Sequence, residues 1–127
     1  MNVVFRVDSS TIIGSGHVMR CLVLAEELRA RGADVHFICR DHPGNIISLI
    51  ANAFFRVSVL AQPSKVTLDE GGEYATWLGV GIYVDSEQTL TAIGCDHVDW
   101  LIVDHYSLDN RWHSVLRRST KRICVID

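Results

Sequence analysis

This sequence has no Cys-x-x-Cys pair, no His-x-x-x-His spacing, no excess of basic residues and no apolar run long enough to cross a bilayer. Each absence removes a class of function. Cys21, Cys39, Cys95 and Cys124 are far apart, and most lie in apolar helix or strand patterns. They are expected as reduced core thiols, not as a disulfide framework or a metal site. His36, His42, His97 and His113 also lack ligand spacing, so no metal and no cofactor is expected. A net charge of -3 gives no electrostatic footprint for nucleic acid or an anionic membrane surface. The chain enters a strand at once, with no signal-peptide pattern, which makes a cytoplasmic location the expectation.

What remains is an ordinary globular composition. With 127 residues, 48% hydrophobic and 21% charged, the chain suits one domain with a continuous core. Its organising stretch is DSSTIIGSGHVMRC, Asp8 to Cys21. The β-branched run Val3 to Val7 precedes it, and Val18, Leu22, Ala25 and Leu28 follow at spacings of three and four. That is strand, loop, helix. The helix is expected to begin near Ser15 to His17, with a serine side chain capping backbone N–H groups. Gly14 and Gly16 permit positive φ and close approach of a ligand to the backbone. A helix start favours an anionic or oxygen-rich ligand and disfavours an imidazolium. A neutral His17 able to accept a proton is therefore expected, with Arg20 on the same helical face as a fixed positive charge. The glycine spacing fits neither the dinucleotide fingerprint nor the phosphate loop of nucleotide triphosphatases.

The rest of the chain alternates strand and helix. Gly32 closes the first helix, and Val35 to Cys39 is a second strand. Pro43 stands at an expected helix start before Ile46 to Ile50. Phe55 to Leu60 is a third strand, Gln62 to Gly72 a loop, and Tyr74 to Val84 fits either helix or strand. Asp85 and Ser86 are expected to cap a helix ended by Gly94. Trp100 to Val103, Leu108 to Arg118 and Ile123 to Ile126 read as strand, helix and strand. The pattern predicts an α/β fold, an open parallel five-stranded sheet of order 3-2-1-4-5 with helices on both faces. In that order the first and fourth strands flank the topological switch point, where ligands bind beyond the strand C-termini. Asp8 to His17 and Asp104 to Tyr106 meet there. Asp8 can orient His17 or bond loop amides, and His105 can reach the crevice or point into the sheet. Trp77, Trp100 and Trp112 are expected in the core. A final strand with no terminal helix to cover it looks like half of a two-lobed protein.

The segments FRVDSSTIIGSGHVMRCLVLAEELRARGADVHFICR, WLIVDHYSLDNRW and KRICVID carry a resemblance. They are similar to the UDP-sugar hydrolases of the pseudaminic acid pathway, the family that includes the spore-coat polysaccharide protein SpsG. The resemblance covers nearly the whole chain, against the family's N-terminal half, and is weak at Pro63 to Val84. It implies a GT-B-like protein in which residues 1–127 form the N-terminal Rossmann-like lobe, bearing the sugar site and the catalytic residue. The C-terminal lobe, which holds most of the UDP, is missing here. The implied partner is UDP-2,4-diacetamido-2,4,6-trideoxy-β-L-altrose, a UDP-activated diacetamido trideoxy sugar, hydrolysed with inversion and without a metal. The family's histidine base maps onto His17, and Tyr106 would line the sugar pocket. Asp8, Gly14, Ser15, Gly16 and Arg20 complete the expected substrate-binding set. A good leaving group needs only one aimed and deprotonated water, so a single imidazole suffices where most glycosidases use paired carboxylates. Two other functions fit the same residues: a UDP-sugar glycosyltransferase lobe, with His17 acting on an acceptor hydroxyl, and a non-catalytic sugar-nucleotide-binding domain.

Overall fold

A computed structural model describes residues 1–62 and 75–126 of the chain. The expected loop at Gln62 to Gly72 lies outside the described residues from position 63 onward, as do Tyr74 and Asp127. Strands β1 (Asn2–Val7), β2 (Asp34–Arg40), β3 (Arg56–Leu60), β4 (Val98–Asp104) and β5 (Thr120–Val125) form one sheet of order 3-2-1-4-5. All four neighbouring pairs are parallel, with Phe5 set against both Phe37 and Ile102. Helices α1 (Gly16–Ala30), α2 (Ile47–Asn52), α3 (Ala75–Leu78), α4 (Ile82–Ile93) and α5 (Asn110–Leu116) connect them. No described helix is long and apolar enough to cross a membrane.

Strand alternation divides the core in two. Val3, Phe5, Val7, Phe37, Cys39 and Ile102 face α1 and α2, where Val18, Cys21, Ala25 and Ile50 pack on them. Val4, Ile38, Leu101 and Val103 face α4 and α5, against Ile82, Ile93, Trp112 and Leu116. The same alternation turns Arg6 and Arg40 onto the second face, where both guanidinium groups are fully buried. Their counter-charge is Asp85 on α4.

That pairing corrects one expectation. Asp85 and Ser86 do not cap a helix, because α4 begins a turn earlier, after Gly81 in extended conformation. Asp85 is instead drawn inward by the two arginines, and the Ser86 hydroxyl donates to the Tyr83 carbonyl. Pro43 does not start a helix either. It lies in the turn before α2, and its carbonyl accepts the Thr11 amide at 3.0 Å. Of the cysteines, Cys21 and Cys39 are core residues, while Cys95 and Cys124 are exposed. Cys124 belongs to edge strand β5, which is half covered at best. Trp112 is in the core as expected and Trp100 is partly buried, whereas Trp77 belongs to the site.

Candidate functional site

The C-terminal ends of β1 and β4 lie side by side, Val7 in register with Asp104. The chain leaves β1 through Asp8 and Ser9, both buried, and turns sharply at Ser10 to Gly14. The Gly14 amide donates to the Ser10 carbonyl at 2.8 Å, and Gly14 takes φ 83°, a conformation open to glycine at little cost. Ser10 Oγ accepts from the Ile12 and Ile13 amides at 3.1 and 2.8 Å. The expected serine cap is therefore absent at Ser15, which precedes α1 without a side-chain bond, because Ser10 closes the loop one turn earlier. Gly14, Ser15 and Gly16 are exposed at the start of α1, and the Gly14 amide is already used. The loop is braced from the side: Ile46 N donates to Ser9 Oγ at 2.9 Å, and Thr11 leans on Pro43.

Helix α1 then presents His17, Arg20 and Cys21 to a single carboxylate, that of Asp104. His17 Nδ1 lies 2.6 Å from Asp104 Oδ1. Arg20 grips the same group with both arms of its fork, Nε to Oδ2 and Nη2 to Oδ1, each at 2.5 Å. Cys21 Sγ donates from below at 3.5 Å. The Asp104 side chain is fully buried, that of His17 is 12% exposed and that of Arg20 is 41% exposed. Burial alone would raise the Asp104 pKa, but hydrogen bonds from Arg20 and His17 outweigh it and hold the carboxyl below its ordinary value. Donating to Asp104, and to the Tyr106 oxygen, raises Arg20 in turn. Burial, with the Asp104 charge behind it, pushes the Cys21 thiol up, so it is a packed donor and not a nucleophile.

Two aromatic rings close the crevice. Tyr106 meets the His17 ring edge to face at 4.8 Å, and Trp77 stacks on Tyr106 at 5.8 Å while standing 6.1 Å from His17. Tyr106 is 40% exposed and Trp77 partly buried, so together they form a wall with an open face.

Beneath this crevice, on the other side of the sheet, lies a buried charge cluster. Asp8 accepts from Arg6 Nη1 at 2.6 Å, Arg6 Nη2 at 3.1 Å and the Arg40 amide at 2.8 Å. His105 and His42 add their Nε2 atoms at 3.0 and 3.2 Å. Arg6 also forks onto Asp85, which takes Arg40 and the Trp112 indole N–H as well. Burial opposes these charges, yet Arg6 with His105 and His42 holds Asp8 well below its ordinary value, and Arg6 with Arg40 holds Asp85 low. Asp8 thus neither touches His17 nor sits at the surface; it is 1% exposed, and its lone pairs are consumed by β2, His42 and His105. His105 points into this cluster and not into the crevice. The carboxylate at His17 is Asp104.

Of the expected site residues, then, His17, Arg20 and Tyr106 converge, Gly14 to Gly16 border them, and Asp8 supports them from behind. The composition of the strands carries a signal for the support layer: an arginine within an otherwise apolar strand is buried only with a partner. Trp77 had no such signal, since a lone tryptophan reads as core.

No family model matches the chain. It is similar to the UDP-2,4-diacetamido-2,4,6-trideoxy-beta-L-altropyranose hydrolase of Campylobacter jejuni, with 35% identity over 92 residues, 71% of this chain. The aligned part is 32% of that protein, so the chain spans about a third of the length of its curated relative.

Proposed function

We propose that this chain is the sugar-binding and catalytic lobe of a UDP-sugar hydrolase, with a diacetamido trideoxy hexose as the sugar and surface-polysaccharide or nonulosonate synthesis as its setting. The observation that carries the reading is the His17 ring, bonded to buried Asp104 at 2.6 Å and faced by Tyr106 at the switch point of the sheet. The relative's name supports the substrate class.

In this reading a water molecule at the crevice attacks the anomeric carbon. Its oxygen forms the new C1–O bond, its proton passes to His17, and the old C1–O bond breaks with its electron pair leaving on UDP. Attack opposite the leaving group inverts the anomeric centre. A positioned base of this kind is worth on the order of 10² to 10⁴ in rate. The Tyr106 and Trp77 wall suits the apolar face and methyl group of a deoxy sugar. UDP itself is held mainly by a second lobe, outside this chain.

Product analysis tests the reading. The protein expressed from its full reading frame, given the UDP-sugar and no acceptor, is expected to yield equimolar UDP and free sugar. UDP release only when an acceptor alcohol is added would make it a glycosyltransferase, and no turnover with retained sugar-nucleotide binding would make it a binding domain. For residues 1–127 alone, weak UDP binding is expected by NMR titration.

A further inference from the structure

We infer that Asp104 is a positioning residue that fixes the tautomer of His17, placing the hydrogen on Nδ1 and leaving Nε2 as the ring's one basic atom, and that Arg20 serves as the standing counter-charge which frees the ring for this task. The inference rests on the hydrolase reading for its purpose but on geometry for its content.

The His17 ring makes its hydrogen-bond contacts among the described residues at Nδ1. Asp104 is a buried carboxylate held ionised by Arg20, and an ionised carboxylate only accepts. Two lone pairs cannot stand 2.6 Å apart, so Nδ1 carries the hydrogen and donates it. The 3.3 Å approach of Arg20 Nη2 to the same Nδ1 is then a contact of two donors that share one acceptor, not a bond. Nε2 keeps its lone pair on the side of the ring away from Asp104. A second histidine, just beyond the end of β4, shows the converse arrangement. His105 donates from Nε2 to Asp8 and accepts the Ser107 amide on Nδ1 at 3.2 Å, so the two faces of the sheet impose opposite tautomers on histidines 17 and 105.

Arg20 makes this arrangement economical. Its bidentate grip neutralises Asp104 permanently, so the carboxylate has a counter-ion whether or not the imidazole has gained a proton. Arg20 is thereby committed to Asp104 through Nε and Nη2.

Ring ¹⁵N–¹H correlation spectra of the 127-residue chain test the assignment directly. The expected wild-type result is a pyrrole-type Nδ1 and a pyridine-type Nε2 at His17, with the opposite pattern at His105. In Asp104→Ala the His17 pattern is expected to become a mixture of tautomers while that of His105 is retained, and Asp104→Asn, which keeps one acceptor oxygen, is expected to fall between. In the full-length protein Asp104→Ala should lower kcat by about 10²-fold, the lower end for a mispositioned base, with KM little changed. A wild-type ring protonated on Nε2 overturns the proposal even if every variant fails to fold. So does an Asp104→Ala ring identical to wild type. The hydrolase reading fails on a different result, the absence of free sugar and UDP when the full-length protein is given the UDP-sugar without an acceptor.

Discussion

Asp104 and His105 are consecutive in the chain yet serve opposite faces of the sheet. Asp104 reaches α1 through His17, Arg20 and Cys21, whereas His105 bonds Asp8 within the arginine cluster packed on α4. The alternation of a strand end thus joins the crevice to its foundation through one peptide bond. Because the cluster has two arginines and two aspartates, its fixed charges cancel. That balance is what lets four ionised groups stay fully buried, and it makes each of them hard to replace.

Asp85→Asn is therefore expected to be costly although Asp85 lies far from the crevice in sequence. It leaves Arg6 and Arg40 short of a buried counter-charge, and breaking such a pair costs about 3–5 kcal/mol. Denaturant unfolding of wild type and variant measures it. The same cluster sets the acid limit. Asp8, Asp85 and Asp104 have folded pKa values below their ordinary ones, so the stability they contribute is complete above the unfolded carboxylate range. It is lost as pH falls below about 3.9 and through the lower folded values. Asp85→Asn should flatten that part of the profile.

A different group governs the milder range. His36 is 6% exposed, and burial first, then the charge of Arg56, lower its pKa from 6.5 to about 4. The unfolded chain therefore binds the proton first as pH falls. Stability should decline from about pH 6.5 toward pH 4, and His36→Gln should reduce this slope, a share of which remains with His113, whose pKa burial also lowers. NMR titration of the ring gives the folded value independently, and a midpoint near 6.5 would contradict the account. The Ser58 hydroxyl, 2.7 Å from Nε2, keeps the ring bonded when neutral.

Gly44 couples the second loop to the first. It takes φ 76°, and a β-carbon there would collide with Thr11 Oγ1 and stand 3.0 Å from the Thr11 amide. Gly44→Ala is expected to cost about 1–3 kcal/mol through strain at positive φ, with the Thr11 clash adding to it, and to loosen the brace on the Ser10 to Gly14 turn. Thermal unfolding reads the first effect, and hydrogen exchange at Thr11 N, which donates to the Pro43 carbonyl, reads the second.

Much of this was legible in the residues. The β-branched run at Val3 to Val7 and the three-and-four spacing after Val18 fix strand, loop and helix, and the right-handed crossover rule then gives the sheet order. His17, Arg20 and Tyr106 could be brought together from that topology alone. Side-chain partnerships could not. Asp85 reads as a helix cap because capping is local chemistry, and only the two arginines, brought together by β1 and β2, turn it inward. Asp8 looked closer to His17 than Asp104 because it is nearer in sequence; strand alternation sends it to the other face. Trp77 lay in a stretch whose period is ambiguous, and nothing local marks a tryptophan as wall or core.

In the proposed reaction His17 takes the proton from the attacking water. Steady-state UDP release by the full-length protein, wild type against His17→Asn, tests it most directly. A fall in kcat of at least about 10²-fold with KM little changed is expected. A variant that hydrolyses the UDP-sugar at the wild-type rate would contradict it.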